Sequence, residues 1–165
     1  KAIRNTCNEL NKTCIIVGPT TTTWCGWFVS GIDRQNGGCT TGNDRQSHDN
    51  LPLLQWYLKQ ANVYETNNNE RLLDVLDIHY YPQNANKEYQ IKFSCNEDNN
   101  TAYYRLQAPR SLYDWSYIDP SYINEPIAVV PRMMSWIDQY YPMTKLSISE
   151  YNFGGDTCIT SVIAH

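Results

Sequence analysis

Residues 126–152 read PIAVVPRMMSWIDQYYPMTKLSISEYN, and this stretch decides the fold class. Its first half places apolar residues on one helical stripe, namely Ile127, Val130, Met134 and Ile137. We therefore predict a helix from Pro126 to about Tyr140. Residues 145–149 alternate in the manner of a strand, which leads directly into Glu150. A helix followed by a strand with a polar end is the unit from which α/β proteins are built.

The same unit occurs twice earlier in the chain. The apolar run 14–17 predicts a fully buried strand that ends at Gly18-Pro19, and residues 75–79 predict a second buried strand that stops at Tyr80. Helices are predicted over residues 1–11 and 51–61, with Pro52 in the first turn of the second, and a short helix is expected before Leu73. Such alternation predicts a parallel sheet with crossover helices.

The connections between these elements are asymmetric. Long loops rich in aromatic residues, about 20–50 and 83–124, follow the first two strands, whereas the segments before each strand are short. Residues 67–69 read as a linker and residues 157–165 as the start of another helix. In a (β/α)8 barrel the loops after the strands build the active site. That fold needs about 250 residues, so we predict that residues 1–165 are a partial barrel domain, truncated at both ends.

The composition favours an uncharged ligand. Net charge is −4, with lysine and arginine scattered along the chain, which argues against nucleic acid. Aromatic residues make up 13% and charged residues only 18%, a mixture suited to stacking on sugar rings and orienting their hydroxyl groups. No apolar run is long enough to cross a bilayer. Serine-hydrolase, phosphate-loop and dinucleotide motifs are absent, so no cofactor is predicted.

The six cysteines predict disulfides rather than a metal site. They form no C-x-x-C pair and lack zinc-ligand spacing; they are Cys7, Cys14, Cys25, Cys39, Cys95 and Cys158. Fifteen connectivities are possible, and the short loops make 7–14 and 25–39 the first pairs to expect. Glycosylation sequons at residues 11–13 and 99–101 also suit a secreted, glycosylated chain.

Glu150 is the strongest catalytic candidate, because a carboxylate at the mouth of a parallel sheet is placed for nucleophilic attack. The structural alternative is a strand-end glutamate paired with Arg105 or Arg110. His79 is expected either to orient that carboxylate or a sugar hydroxyl, or to be a core histidine with one satisfied nitrogen.

The remaining candidates are aromatic or polar residues near the strand ends. Tyr80 and Tyr81 point to opposite faces if the strand continues, so that one is functional and the other packs. Trp24, Trp27 and Trp115 are placed in loops, where each is either a sugar platform or a lid over the core. The substrate-binding set comprises Trp24, Trp27, Tyr80, Tyr81, Tyr151 and Asn152.

The tripeptide 124–126, Asn-Glu-Pro, resembles the acid/base motif of many barrel glycosidases. No strand is predicted before it, so we interpret it as the cap of the following helix, with Pro126 at the first helical position.

Two stretches resemble glycoside hydrolase family 44. Residues 76–82, LDIHYYP, are similar to a strand of that family, and residues 127–154, which contain PRMMSWIDQYYPMTKLSISEYNFG, resemble a long and specific family segment. Residues 1–19 and 24–27 fit more loosely.

This resemblance implies a secreted, retaining endo-β-1,4-glucanase acting on cellulose, xyloglucan or related β-glucans. Glu150 matches the nucleophile, and the acid/base glutamate would precede Lys1. The chain would then carry roughly strands five to seven of the barrel, would need the remaining barrel segments as partners, and would be inactive in isolation. The alternative is a non-catalytic glycan-binding or wall-structural protein on the same barrel. A mannanase would share the chemistry.

Overall fold

The computed structural model describes residues 2–83, 98–154 and 159–164. The chain divides into two compact units. The first unit comprises Lys1–Ile78 and Trp136–Ser147, and the second comprises His79–Ser135 and Ile148–His165. Cys95 and Cys158 lie outside the described residues, as do the ends of the helix predicted over residues 157–165.

Helices and strands alternate along the chain, which confirms the predicted α/β class. In order they are α1 Ala2–Glu9, β1 Val17–Thr21, α2 Trp24–Phe28, α3 Gly31–Gln35, α4 Asn43–Ser47, α5 Leu53–Asn68, β2 Val75–Tyr80, α6 Asn99–Gln107, a 3₁₀ helix Ala108–Leu112, α7 Val129–Tyr140, β3 Lys145–Tyr151 and α8 Ile159–Ala164.

The described strands form one sheet in the order β1-β2-β3, and β1 is parallel to β2. Val17 pairs with Val75, and the register shifts between Pro19 and Thr21. The Gly18-Pro19 peptide bond is cis. A parallel pair requires a crossover, and α5 lies in that connection.

The first strand differs from the prediction of a fully buried run over residues 14–17. It begins at Val17, and the side chains of Ile15 and Val17 are 67% and 53% exposed. The Ile16 amide donates to a carboxylate oxygen of Asp74, so a side chain takes the place of a ladder partner just before the strand. As β1 ends the strand order, one of its edges has no strand partner among the described residues.

The predicted loop 20–50 contains three short helices. Ser30 caps α3 by accepting from the Asp33 amide, and the Asp33 carboxylate accepts from the amides of Asp44 and Arg45 in the first turn of α4. Helices of five residues are too short for a hydrophobic period, and the cap of α4 lies eleven residues upstream. Sequence periodicity could not reveal them.

The boundaries of α5 also differ from the prediction. Pro52 is the N-cap rather than a first-turn residue, and the helix continues through the polar residues that were predicted to be a linker. It ends where Asn69 adopts the left-handed conformation, with φ 51°, which asparagine tolerates well. The predicted short helix before Leu73 is wrong, because residues 70–73 are extended or irregular.

Helix α7 begins at Val129, so Asn124-Glu125-Pro126 is not its cap. Ala128 has φ 43°, which stops the helix from extending towards Pro126. The buried face also differs from the predicted stripe. Met133 and Trp136 are buried, together with Ile127 and Ile137, whereas Val130 and Met134 are 39% and 37% exposed.

Both disulfides expected from the short loops are present, Cys7–Cys14 and Cys25–Cys39. Each closes a short loop and limits the freedom of the unfolded chain. None of the described helices combines the length and the apolar character needed to cross a bilayer.

A network of charged and polar groups lies just before β2 and β3 in the first unit. Asp74 accepts from Arg4 at 2.7 Å and from the Ile16 amide at 2.7 Å. Tyr141, which is 1% exposed, donates from its hydroxyl to Glu65 and accepts from the Leu72 amide at 3.2 Å. These hydrogen bonds hold in place the segments that precede β2 and β3.

Candidate active site

The C-terminal ends of β2 and β3 bring three polar side chains together in the second unit. Glu150 is the last residue but one of β3, His79 is near the end of β2, and Tyr81 follows β2 directly. The Tyr81 hydroxyl donates to Glu150 Oε2 at 2.6 Å. His79 Nδ1 lies 3.2 Å from the same oxygen. The structure thus places His79 beside the Glu150 carboxylate, which is one of the positions expected for it from the sequence.

The two contacts of the Glu150 carboxylate differ in kind. The bond from Tyr81 is a well-formed hydrogen bond, and because Glu150 accepts it, the pKa of the Tyr81 phenol is raised. The phenol therefore keeps its proton at neutral pH. His79 Nδ1 lies at ion-pair distance but makes no hydrogen bond within the described part of the chain.

Glu150 is accessible to a ligand. Its side chain is 56% exposed, whereas that of His79 is only 11% exposed. Both contacts reach Oε2, and no hydrogen bond to Oε1 occurs within residues 2–83, 98–154 and 159–164. Oε2 is thus held by its contacts, whereas Oε1 has no hydrogen-bond partner in the described residues.

The residues next to this group, at the ends of β2 and β3 or just after them, differ in burial. Tyr80 is 3% exposed, and its ring lies 6.1 Å from that of Phe153, which is also buried. Burial raises the pKa of Tyr80. Tyr151 is half exposed, and the Asn152 side-chain oxygen accepts from the Gly154 amide at 3.2 Å. Tyr80 is packed in the interior and offers no surface for stacking on a sugar, which corrects its assignment to substrate binding, whereas Tyr81 is half-buried.

Trp24 and Trp27 do not lie in a loop, and the structure corrects that placement. Both belong to α2 in the first unit and are only 4% and 1% exposed. Their rings lie 5.9 Å apart in an edge-to-face arrangement. The ring of Trp24 also lies 4.6 Å from that of Phe28. They are core residues here, as the alternative reading held, because a helix turned their apolar rings inward.

The hydrogen bond between Tyr81 and Glu150 was not foreseen. The sequence marked Tyr81 only as a sugar-binding candidate, since nothing in a tyrosine after one strand indicates which residue of the next strand it reaches. The sequence did give the position of Tyr81 directly after a strand, and residues that follow adjacent parallel strands share one edge of a sheet.

Among the described residues, no group of three or more His, Cys, Asp or Glu side chains could hold a metal ion.

Comparison with known proteins identifies the family. The family model "Glycoside hydrolase family 44" matches residues 1–84. Endoglucanase A of Paenibacillus lautus is 40% identical over 116 residues, which are 68% of this chain and 17% of that protein. The β-mannanase/endoglucanase A of Caldicellulosiruptor saccharolyticus is 34% identical over 128 residues, or 68% of this chain and 10% of that protein.

Solved structures give the same result. A bifunctional glucanase-xylanase from a metagenome library superposes with a TM-score of 0.80 at 34% identity, over 92% of this chain and 28% of that one. The family 44 endoglucanase Cel44A of Clostridium thermocellum gives 0.76 at 32% identity, over 92% and 29%. The chain spans less than a third of each of these relatives. It belongs to glycoside hydrolase family 44.

Proposed function

We propose that this chain contributes the nucleophile, Glu150, to a retaining endo-β-1,4-glycanase. The observation that carries the proposal is the convergence of the Tyr81 hydroxyl and His79 Nδ1 on one oxygen of an exposed strand-end carboxylate. A glutamate that served only to pair with an arginine would not need a phenol and an imidazole on the same atom. The arginines weighed as partners bind elsewhere: Arg105 bonds to Thr160 and Arg110 to Asp114.

The chemistry follows from that arrangement. Glu150 Oε1 attacks the anomeric carbon of the sugar, the bond from that carbon to the leaving oxygen breaks, and a second carboxyl group gives its proton to that oxygen. The product is a glycosyl ester of Glu150. Water then attacks the same carbon while the second group, now a carboxylate, takes its proton. The ester bond breaks, Glu150 is released as a carboxylate, and the configuration of the sugar is retained.

Tyr81 and His79 act on this carboxylate from one side. The hydrogen bond from Tyr81 to Oε2 restricts the rotation of the carboxylate. Oε1 has no hydrogen-bond partner in the described residues and serves as the attacking atom. Because Glu150 raises the pKa of the phenol, Tyr81 donates throughout the neutral range. His79 is nearly buried, with Nδ1 3.2 Å from Oε2, so its imidazole borders the atom on which negative charge returns when the ester breaks.

The proposal places the proton donor and the rest of the barrel on other segments of the protein. By the resemblance set out above, residues 1–165 correspond to roughly strands five to seven of a (β/α)8 barrel, and the acid/base glutamate precedes Lys1. The small share of each relative that the chain spans supports only the view that further segments complete the barrel. Residues 1–165 alone should accordingly turn over no substrate.

The substrate class is a β-linked glucan such as cellulose or xyloglucan. Relatives named as endoglucanases and a Paenibacillus polymyxa xyloglucanase solved with xyloglucan support it. That xyloglucanase is 30% identical, with a TM-score of 0.75. Two disulfides are in keeping with an oxidising compartment, so we infer that the protein acts outside the cell.

The test is a pair of matched substitutions in the full-length protein. Glu150→Gln removes the charge and the nucleophile while keeping the size, and should lower kcat on soluble β-glucan by at least about 10³-fold. Glu125→Gln makes the same change at an exposed glutamate of the same unit and should leave kcat unchanged. Full activity of Glu150→Gln would overturn the proposal. A parent protein that binds glucan without hydrolysing it would favour the non-catalytic alternative.

A further inference from the structure

Trp115 stands apart from the other tryptophans of the chain. All five lie in the described residues, and three of them are at most 6% exposed, namely Trp24, Trp27 and Trp136. Trp56 is half-buried. Trp115 is 51% exposed, although a tryptophan gains more than most residues from burial.

The backbone around Trp115 is fixed. Asp114 Oδ1 accepts from the Ser116 amide at 2.8 Å and from the Ser116 hydroxyl at 2.6 Å, which makes Trp115 the middle residue of an Asx turn. The other carboxylate oxygen, Oδ2, accepts two hydrogen bonds from the Arg110 guanidinium, at 3.0 and 2.8 Å. These bonds hold the pKa of Asp114 at about 2, so its carboxylate is ionised at neutral pH. The indole is therefore presented by a rigid turn.

One side of the indole is supported from within the same unit. The Arg132 guanidinium lies 4.9 Å from the centre of the Trp115 ring. It is itself anchored, because it donates to the carbonyl of Ile127 at 2.8 Å and to that of Pro126 at 2.7 Å. A cation over one face of the ring restricts its rotation. The exposure of the residue shows that the ring keeps surface for a ligand.

We infer that Trp115 is a stacking platform for a pyranose ring of the glucan chain. The inference rests on the function proposed for Glu150, which lies in the same unit, and adds a binding contact to it. A preorganised flat apolar face suits the axial C–H groups of a β-linked glucose unit and loses little conformational freedom on binding. The net charge of −4 disfavours a polyanionic ligand for the same surface.

The experiment measures binding without turnover. In the full-length protein that carries Glu150→Gln, the Kd for cello-oligosaccharides of increasing length is measured by titration calorimetry. Trp115→Ala should raise the Kd by roughly 3- to 10-fold for those oligosaccharides that reach the platform. Trp115→Tyr, which keeps a flat ring, should recover most of that loss. Trp115→Leu, which keeps the apolar bulk without the ring, should not recover it.

A matched control and distinct outcomes make the test decisive. Tyr103→Ala removes an aromatic ring that is 59% exposed in the same unit but lies on helix α6, and it should not change the Kd. Equal affinities of parent and Trp115 variants for every length would overturn the platform and leave Glu150 untouched. No binding by the Glu150→Gln parent itself would count against the proposed function. A loss shared equally by the Tyr variant would mean a structural role and would also overturn the inference.

Discussion

Two of the tyrosine–glutamate hydrogen bonds in the described residues, Tyr141–Glu65 and Tyr81–Glu150, differ sharply in their surroundings. Tyr141 donates to Glu65 in the first unit, where its ring is buried under the Arg71 guanidinium, 4.3 Å from the ring centre, and its hydroxyl also accepts from the Leu72 amide. Tyr81 donates to Glu150 in the second unit, where both side chains reach solvent. The first bond closes a packed network, whereas the second leaves a carboxylate oxygen without a partner in the described residues.

Burial decides how much each of the two pairs can contribute to stability. A buried donor or acceptor that loses its partner costs stability, so the groups around Tyr141 are fully paired. Exposed pairs contribute little to stability. The arrangement of Tyr81, His79 and Glu150 therefore needs another explanation, and orienting a nucleophile supplies one.

Among substitutions that leave Glu150 in place, the largest effect should come from removing the Tyr81 hydroxyl. In the full-length protein, Tyr81→Phe should lower kcat on β-glucan by roughly 10- to 100-fold, since Glu150 loses the donor that orients it. The midpoint of denaturant unfolding should stay the same, because the pair is exposed. Parallel measurements of kcat, KM and unfolding midpoint check this. A drop in stability with unchanged kcat would reverse the assignment.

Asp74 belongs to the network at the start of β2, and its loss should affect stability alone. Asp74→Ala should cost about 2 kcal/mol of unfolding free energy, because the Ile16 amide and Arg4 lose their acceptor. Denaturant titration gives this value, and kcat serves as the control. An activity loss larger than the accompanying loss of folded protein would contradict the assignment.

The contribution of Asp74 should also depend on pH. Partial burial pushes its pKa up, but hydrogen bonds from the Ile16 amide and from Arg4 outweigh this effect and hold the pKa below its usual value. A depressed pKa in the folded state means that the stabilisation is complete above about pH 4, the unfolded value, and is lost as pH falls through the folded value. The stability difference between parent and Asp74→Ala should thus shrink on acidification below about pH 4. A constant difference would contradict the ion-pair account.

Tyr141→Phe is the matched counterpart of Tyr81→Phe. It should cost about 1 kcal/mol of unfolding free energy, because the hydroxyl bonded to Glu65 and to the Leu72 amide is removed while the ring remains. Its kcat should equal that of the parent. If the two Tyr→Phe variants gave the same pattern of stability and activity, the contrast between the two pairs would be lost.

The smallest effect should follow from breaking an exposed ion pair. Lys59 and Asp49 lie 2.5 Å apart at the surface, with side chains 41% and 62% exposed. Asp49→Asn should shift neither the unfolding midpoint nor kcat measurably, since water and salt screen such pairs. A clear loss of stability would show that exposure is a poor guide to the value of a polar pair in this chain.

Much of the fold could be predicted from the sequence because long elements carry a periodic signal. The strand at β2 and the position of Glu150 at the end of β3 followed from apolar runs that stop at polar residues. The short helices between β1 and α5 did not, because the cap of α4 is a carboxylate eleven residues upstream. The start of α7 depended on the backbone conformation of Ala128, which no pattern of side chains indicates.

The candidate site was predicted in part for the same reason. That His79 and Glu150 end neighbouring strands is a property of the alternating pattern, so their proximity was expected. The roles of the aromatic residues were not resolved, because burial depends on tertiary contacts. Trp24 and Trp27 turned inward on a helix, while Trp115 was held outward by a turn that Asp114 fixes. Sequence alone left both outcomes open for each of them.

The most direct test of the central claim is to trap the covalent intermediate. The full-length protein is treated with a 2-deoxy-2-fluoro β-glucan glycoside bearing a good leaving group, digested, and analysed by peptide mass spectrometry. The account predicts one added fluoroglycosyl group on the peptide that contains Glu150, with fragmentation placing it on that residue, and no labelling of the Glu150→Gln variant. A label on a different carboxylate, or a parent enzyme that hydrolyses β-glucan with inversion, would contradict it.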